Sequence, residues 1–215
     1  MGRAIWGTSG GFQGKNGANI GRWVGGQNVV GPLPHPSLTP PSVPQLNQRA
    51  KFGLMITFLS WISPIIRVGF QNEHKEKQSA FNAAFVYNFR NAILGSSAAN
   101  YTIDYPELLL SKGKLSKPDS AAMATTEDAQ LDLTWTAYFQ VGYGAATDKA
   151  TFVVYNPAKG DFVTRVGAVV RSALSYDFVL PVSFSGDMVH VYMSFVSESG
   201  RVVSDSVYVG STVVQ

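Results

Sequence analysis

From Tyr101 onward the apolar residues fall at every second position in short runs, a period that a strand satisfies and a helix does not. Tyr101, Ile103 and Tyr105 alternate. So do Leu131, Leu133 and Trp135, and later Tyr176, Phe178 and Leu180, closed by Pro181. Thr151–Tyr155 is rich in β-branched and aromatic residues and runs into a turn at Asn156-Pro-Ala-Lys-Gly160. Val163, Val166 and Val169–Val170 lie in shorter pieces, and Leu108–Leu110 reads as one more short strand. Met188–Val196 and Val202–Val209 flank Glu198-Ser-Gly200 as a hairpin. Strands spaced about 8–12 residues apart predict an antiparallel β-sandwich over residues 121–209.

Upstream the period lengthens. Ser42-Val-Pro-Gln45 has the form of a capping box. Leu46, Ala50, Leu54 and Phe58 then recur at four-residue spacing, with Met55, Leu59 and Ile62 beside them, as one helical face. Pro64 ends or kinks that helix. Gln71–Gln78 is a charged connector, and Ser79 caps a second helix carrying Phe81, Ala84, Phe85, Asn88 and Ala92, with Gly95 as its stop. Two such helices make a hairpin that needs a third layer.

The leader differs again. It holds nine glycines between Gly7 and Gly31, then six prolines between Pro32 and Pro44. Such a segment buries too little side chain to offset its own backbone entropy. Yet it carries Trp6, Phe12, Trp23, Val29 and Val30. The expectation is an arm ordered by contact, with Trp6, Phe12, Trp23 and Val29 as its anchors. The chain therefore reads as α+β in three segments: a Gly/Pro-rich arm over 1–41, a helical hairpin with short strands over 42–117, and the sandwich over 118–215.

Charge is uneven. Through Lys117 there are twelve basic and four acidic residues, a balance of +8. Beyond it there are five and ten, −5, which together give the net +3. A basic half suits an anionic partner or the acidic half of a neighbouring subunit. Charged residues make up only 14% of the chain, against the roughly one quarter usual for soluble domains, which fits a surface that meets other protein. Cysteine is absent, so thiol chemistry and disulfides are excluded. No run approaches the roughly 18 apolar residues of a membrane span. Met1-Gly-Arg-Ala-Ile-Trp6 lacks a signal-peptide core, so the expected place of synthesis is the cytoplasm, with release as part of a particle or filament.

Several stretches resemble known families. Gln130-Leu-Asp-Leu-Thr-Trp135 resembles the second strand of a fibronectin type III module, where a tryptophan anchors the core. Phe152-Val-Val-Tyr155 with Asn156-Pro-Ala-Lys-Gly160 is similar to its third strand and turn, and Val189-His-Val-Tyr192 to its tyrosine-bearing sixth strand. Across nearly the whole chain, five stretches resemble a family of uncharacterised bacterial proteins of about 210 residues. They are Gly10-Gly-Phe-Gln-Gly-Lys-Asn-Gly17, Gln48-Arg-Ala-Lys-Phe52, Ser79-Ala-Phe-Asn-Ala-Ala84, Tyr155-Asn-Pro-Ala-Lys-Gly160 and Ser204-Asp-Ser-Val-Tyr-Val-Gly210. That likeness implies kinship but no activity or site residues. The glycine-rich arm followed by a Gln-Arg-x-Lys-Phe helix is also similar to small phage structural proteins.

Catalytic constellations fail on inspection. Gly7-Thr-Ser-Gly-Gly11 has the spacing of a nucleophile elbow, but six unpatterned residues precede it where a strand is required. Gly14-Lys15 lacks both the first glycine and the hydroxyl of a phosphate loop. His35, His74 and His190 have no metal-ligand companions at useful spacing, and His190, between Val189 and Val191, is expected to face solvent or an interface. No catalytic residue, metal or cofactor is expected. The reading is a non-enzymatic structural subunit of a homomeric assembly, phage-like or filamentous, whose arm clasps a neighbour. One alternative is a nucleic-acid-associated protein using Arg3, Lys15, Arg22, Arg49 and Lys51. Another is an adhesion or carbohydrate-binding module using exposed aromatics of the sandwich.

Overall fold

Two-residue turns fold the glycine-rich leader back on itself. In the computed structural model, which describes residues 3–4, 10–35, 38–73, 78–126 and 129–215, the leader pairs as an antiparallel meander. Its strands are β1 (Arg3–Ala4), β2 (Phe12–Asn16), β3 (Asn19–Val24) and β4 (Gln27–Pro32), adjacent in that order. Val24 pairs with Gln27, so Gly25 and Gly26 alone make the connection, with φ of +56° and +79°. Positive φ at both central residues is what a type I′ hairpin turn requires. At Gly21 a Cβ would lie 2.0 Å from the Phe12 carbonyl oxygen, so only glycine admits this closeness of β2 and β3. The expected extended arm is thus a paired sheet, because the glycines sit where hairpin turns and close strand approach need them.

The chain divides into two compact units, Met1–Val43 and Pro44–Gln215. In the second, α1 (Val43–Trp61) and α2 (Ser63–Gly69) meet at a bend of 88°, with Pro64 in the first turn of α2. Proline is tolerated there because first-turn amides have no intrahelical acceptor. α3 (Ala80–Asn91) starts at Ser79, whose hydroxyl accepts from the amide of Asn82 at 3.2 Å. It ends before β5 (Ile93–Leu94), so Gly95 belongs to the connection between β5 and β6 (Thr102–Ile103) and does not stop the helix. Among the described residues no single helix is long and apolar enough to cross a membrane.

Seven strands follow: β7 (Asp119–Thr126), β8 (Gln130–Thr136), β9 (Lys149–Asn156), β10 (Asp161–Val170), β11 (Ser175–Val179), β12 (Met188–Val196) and β13 (Val207–Val213). They form two antiparallel sheets, β10-β9-β12-β13 and β11-β8-β7, facing each other as a sandwich. The inner core joins Leu131, Leu133 and Trp135 to Phe152, Val154, Phe178, Val191 and Phe195. The final hairpin is shorter than its pattern: β13 begins at Val207, and Val203 only bridges Val196.

The central strands of the larger sheet are buried on both faces. Along β9, Phe152 and Val154 point into the sandwich while Val153 points out, and on β12 Val191 and Met193 point in while Tyr192 points out. The outward set packs with Met55, Phe58 and Leu59 of α1, Ile62 at the bend, Ile66 of α2 and Ala84 of α3 in a second core. That sheet is the third layer the helical hairpin needed, so residues 42–117 and the sandwich form one unit. Only the second half of α1 lies over it, where Phe58 meets Tyr105, Tyr155 and Phe162 at 5.1–6.5 Å. Leu46, expected on the buried face, is therefore exposed.

Leu108–Leu110 forms no strand. The Leu108 amide donates to the Tyr105 carbonyl at 3.3 Å, and the polar groups that follow are satisfied by side chains. The fully buried Asn88 accepts from the Leu109 amide at 2.8 Å and donates to the Leu109 carbonyl at 2.8 Å, while the Ser206 hydroxyl accepts from the Leu110 amide at 2.9 Å. Asn88→Ala should orphan two groups of Leu109 and destabilise the chain by about 2 kcal/mol, read as a lower urea midpoint at unchanged slope.

Candidate functional site

The register of the N-terminal sheet sorts its side chains by chemistry. Directly paired residues share a face, and residues two apart on a strand do too. Lys15 pairs with Ile20 and Arg22 with Val29, so one face carries Lys15, Ile20, Arg22, Val24 and Val29. Gly14 pairs with Gly21 and Gly21 with Val30, so the other carries Phe12, Trp23 and Val30. Trp23, Val24, Val29 and Val30 are 42%, 55%, 41% and 50% exposed. Neither face contains a helix or second sheet of its own unit among the described residues. A sheet must bury its apolar face against another layer, and within this unit there is none.

The expected anchors are therefore split. Phe12 and Trp23 lie on one face and Val29 on the other, with Trp6 outside the described residues. Phe12 is half-buried and packs over the flat spot left by Gly21. The basic residues are also divided. Lys15 and Arg22 share the Val29 face, and the backbone of Arg3 pairs with Gln13. Arg49 and Lys51 belong to α1 in the second unit, where the Lys51 ammonium sits 4.7 Å from the centre of the Tyr101 ring. Ser9 and His74 lie outside the described residues. The first unit contains Arg3, Lys15 and Arg22 and no acid, so the whole formal charge of +3 belongs to it.

His190 is buried, which corrects the expectation of an outward-facing histidine. It lies on the helix-covered side of β12, stacked on Tyr105 at 4.0 Å, with Nδ1 2.8 Å from the Tyr208 hydroxyl. Burial lowers its pKa and keeps it neutral. Burial also pushes the neighbouring Tyr105 up to about 12, with Tyr155 adding to the rise, and Tyr192 is raised by the same cause. These hydroxyls stay protonated near neutrality and act as packing groups and donors: Tyr192 donates to the Tyr105 carbonyl at 2.9 Å.

Sequence reasoning overlooked a buried ion pair. Arg171, fully buried just after β10, donates from Nη2 to Asp148 Oδ2 at 3.1 Å and to the Ser116 carbonyl at 2.9 Å. Its guanidinium stacks on Phe195 at 3.7 Å, and Trp135 Nε1 donates to its carbonyl at 2.8 Å. Burial lowers the Arg171 pKa and Asp148 holds it up. Nε and Nη1 have no partner among the described residues. No spacing in the sequence links positions 148 and 171, so no signal marked them. The pair pins the β8–β9 loop, whose Tyr138, Val141 and Tyr143 are exposed. A separate groove of about 440 Å³ runs between α1 and β9–β10, lined by Leu54, Phe58, Trp61, Ile103, Tyr155 and Phe162, with Trp61 exposed at its rim.

The fold defines an α+β chain whose C-terminal half is a fibronectin III-like sandwich, fused to a helical layer and preceded by a small sheet. The chain belongs to DUF6266, a family of unknown function whose model matches residues 11–210. Among solved structures, the fn3 domain of the human collagen alpha-1(XX) chain is similar, at 20% identity over 46% of this chain and 85% of its own, with a TM-score of 0.32. No curated protein matches the chain.

Two predictions follow from the buried charges. Asp148→Asn should destabilise by roughly 3 kcal/mol, because it strands a buried guanidinium, and adding Arg171→Met should recover much of that loss in chemical unfolding. His190 is neutral when folded and binds a proton when unfolded, so stability should be flat above about pH 6.5 and decline below it. Asp187, held low by hydrogen bonds from Lys159 and Asn156, adds a second decline as pH falls below the ordinary carboxylate value of 3.8. Thermal melts across pH should lose the first decline in His190→Phe and keep the second.

Proposed function

We propose that this protein is a non-enzymatic structural subunit of a homomeric assembly, in which the N-terminal sheet clasps a neighbouring copy. The observation that carries the reading is a four-stranded sheet with half-exposed apolar side chains on both faces and no second layer among the described residues of its own unit. Fully burying one large apolar side chain is worth roughly 1.5–3 kcal/mol, so covering Trp23, Val24, Val29 and Val30 would yield several kcal/mol of association energy. Head-to-tail use of such a clasp generates a ring where the rotation closes and a filament where it does not.

The geometry favours the alternatives less. Stacking on single-stranded nucleic acid needs aromatic and basic groups in one groove. Here Phe12 and Trp23 face away from Lys15 and Arg22, and Arg49 and Lys51 belong to the other unit. Most aromatics of the sandwich are consumed in its cores, leaving Tyr138 and Tyr143 for a glycan or adhesive contact.

Light scattering after size exclusion is the test. Full-length protein at about 1–100 µM should elute as a multimer whose mass rises with concentration, and Val24→Asp/Val29→Asp should elute as a folded monomer. A full-length chain of monomer mass throughout that range overturns the proposal.

A further inference from the structure

The smaller sheet of the sandwich keeps one face uncovered, and that face is acidic at its centre. β8 turns Leu131, Leu133 and Trp135 into the core, so Asp132 and Thr134 point outward. β11 turns Tyr176 and Phe178 inward, so Ser175, Asp177 and Val179 point outward. From β7 the outward residues are Ala122 and Ala124. The register sets Asp132 directly opposite Asp177. Like charges in a directly opposed cross-strand pair, with Cβ atoms about 4.5–5.5 Å apart, destabilise a sheet. Among the described residues neither carboxylate has a basic partner at salt-bridge distance. The fold therefore holds an unrelieved anionic pair on a flat surface of small side chains.

The N-terminal sheet holds the complementary arrangement. Lys15 lies opposite Ile20, and Arg22 is two residues along from Ile20, so Lys15 and Arg22 are diagonal neighbours about 7–8 Å apart on one face. Among the described residues neither has an acidic partner at salt-bridge distance. Around them lie Ile20, Val24 and Val29, matched on the acidic face by Val179, Ala122 and Ala124. The donor face, about 17–20 Å along strands of five and six residues, fits within the acidic face, whose strands of five to eight residues run about 17–27 Å. Two twisted sheets pack face to face at about 10 Å, close enough for lysine and arginine to reach the opposite carboxylates.

We propose that the outer face of β7, β8 and β11 is the acceptor for the Lys15 and Arg22 face of the N-terminal sheet of a second copy. This rests on the assembly reading above and names the docking site and partner surface it left open. One pairing relieves two like-charge contacts at once and covers two of the half-exposed apolar residues, Val24 and Val29, together with Ile20. The match is heterologous, each copy offering one donor face and one acceptor face, so it builds a ring or a filament.

The test uses full-length chains in analytical ultracentrifugation at about 50 mM salt, with thermal melts of each variant. Asp177→Asn should raise the melting temperature, since it removes the repulsion within the sheet, and should weaken self-association at least tenfold. A merely structural role would move the two readouts together. Asp132→Lys/Asp177→Lys and Lys15→Glu/Arg22→Glu should each abolish assembly of a folded chain, and the four changes combined in one chain should restore it. Mixing the two double variants should give heteromeric pairs that neither forms alone. A wild-type chain that is monomeric at every concentration removes the assembly reading and this site with it. Assembly that survives both acidic-face variants overturns this site and leaves the reading standing, and loss with Trp61→Ser would then place the acceptor at the α1 groove. Failure of the combined chain to reassemble overturns the charge pairing.

Discussion

The central strands β9 and β12 of the larger sheet have no solvent-facing side, and the rest of the second unit is organised around that fact. These strands alternate between two cores, Phe152 and Val154 into the sandwich and Val153 and Tyr155 toward the helices. An ordinary sandwich keeps polar residues on its outer faces. Here Tyr155, His190, Tyr192 and Tyr208 replace them, each with an apolar body to bury and, at Tyr192 and Tyr208, a hydroxyl that finds a partner. The helices could not stand without this surface, and the surface would be an exposed aromatic patch without the helices. That mutual dependence is why residues 44–215 form one unit.

The other faces of the molecule follow a different logic. The three-stranded sheet presents small and acidic residues outward, and the leader sheet presents valines, a tryptophan and two cations. The proposed role as an assembling subunit treats them as two halves of one contact, with burial of the valines supplying affinity and the aspartates selecting the face. The formal net charge of +3 lies wholly in the leader sheet's unit, while the second unit carries equal numbers of acids and bases.

Much of this was legible beforehand, for identifiable reasons. Period-two alternation marked β8 and β11, because each turns one set of residues into the inner core, and runs of β-branched, aromatic and apolar residues marked β9 and β12, which are buried on both faces. The Ser79 cap and Pro64 break were legible because they are local backbone chemistry. Other features were hidden. The glycines at 25 and 26 read as flexibility, although adjacent glycines between β-prone residues are also a hairpin turn, and Gly21 gave no hint of its contact with Phe12. His190 was misplaced because alternation reports which face a residue is on and not whether that face is covered. Leu108–Leu110 has a strand's composition but takes its hydrogen bonds from Asn88 and Ser206, which no local pattern announces.

Amino-acid order alone determined the principal strands of the sandwich, the Ser79 start of α3, the Pro64 break, the uneven charge and the exclusion of thiol chemistry, since all of these depend on residues close together in the chain or on simple counts. Only the tertiary structure decided that the helices and sandwich share a sheet, that Arg171 meets Asp148, that Lys15 and Arg22 share a face, and that Asp132 opposes Asp177. Each depends on strand register and layer order, which are set by side chains distant in sequence competing to leave water together. A pattern along the chain cannot report the outcome of that competition.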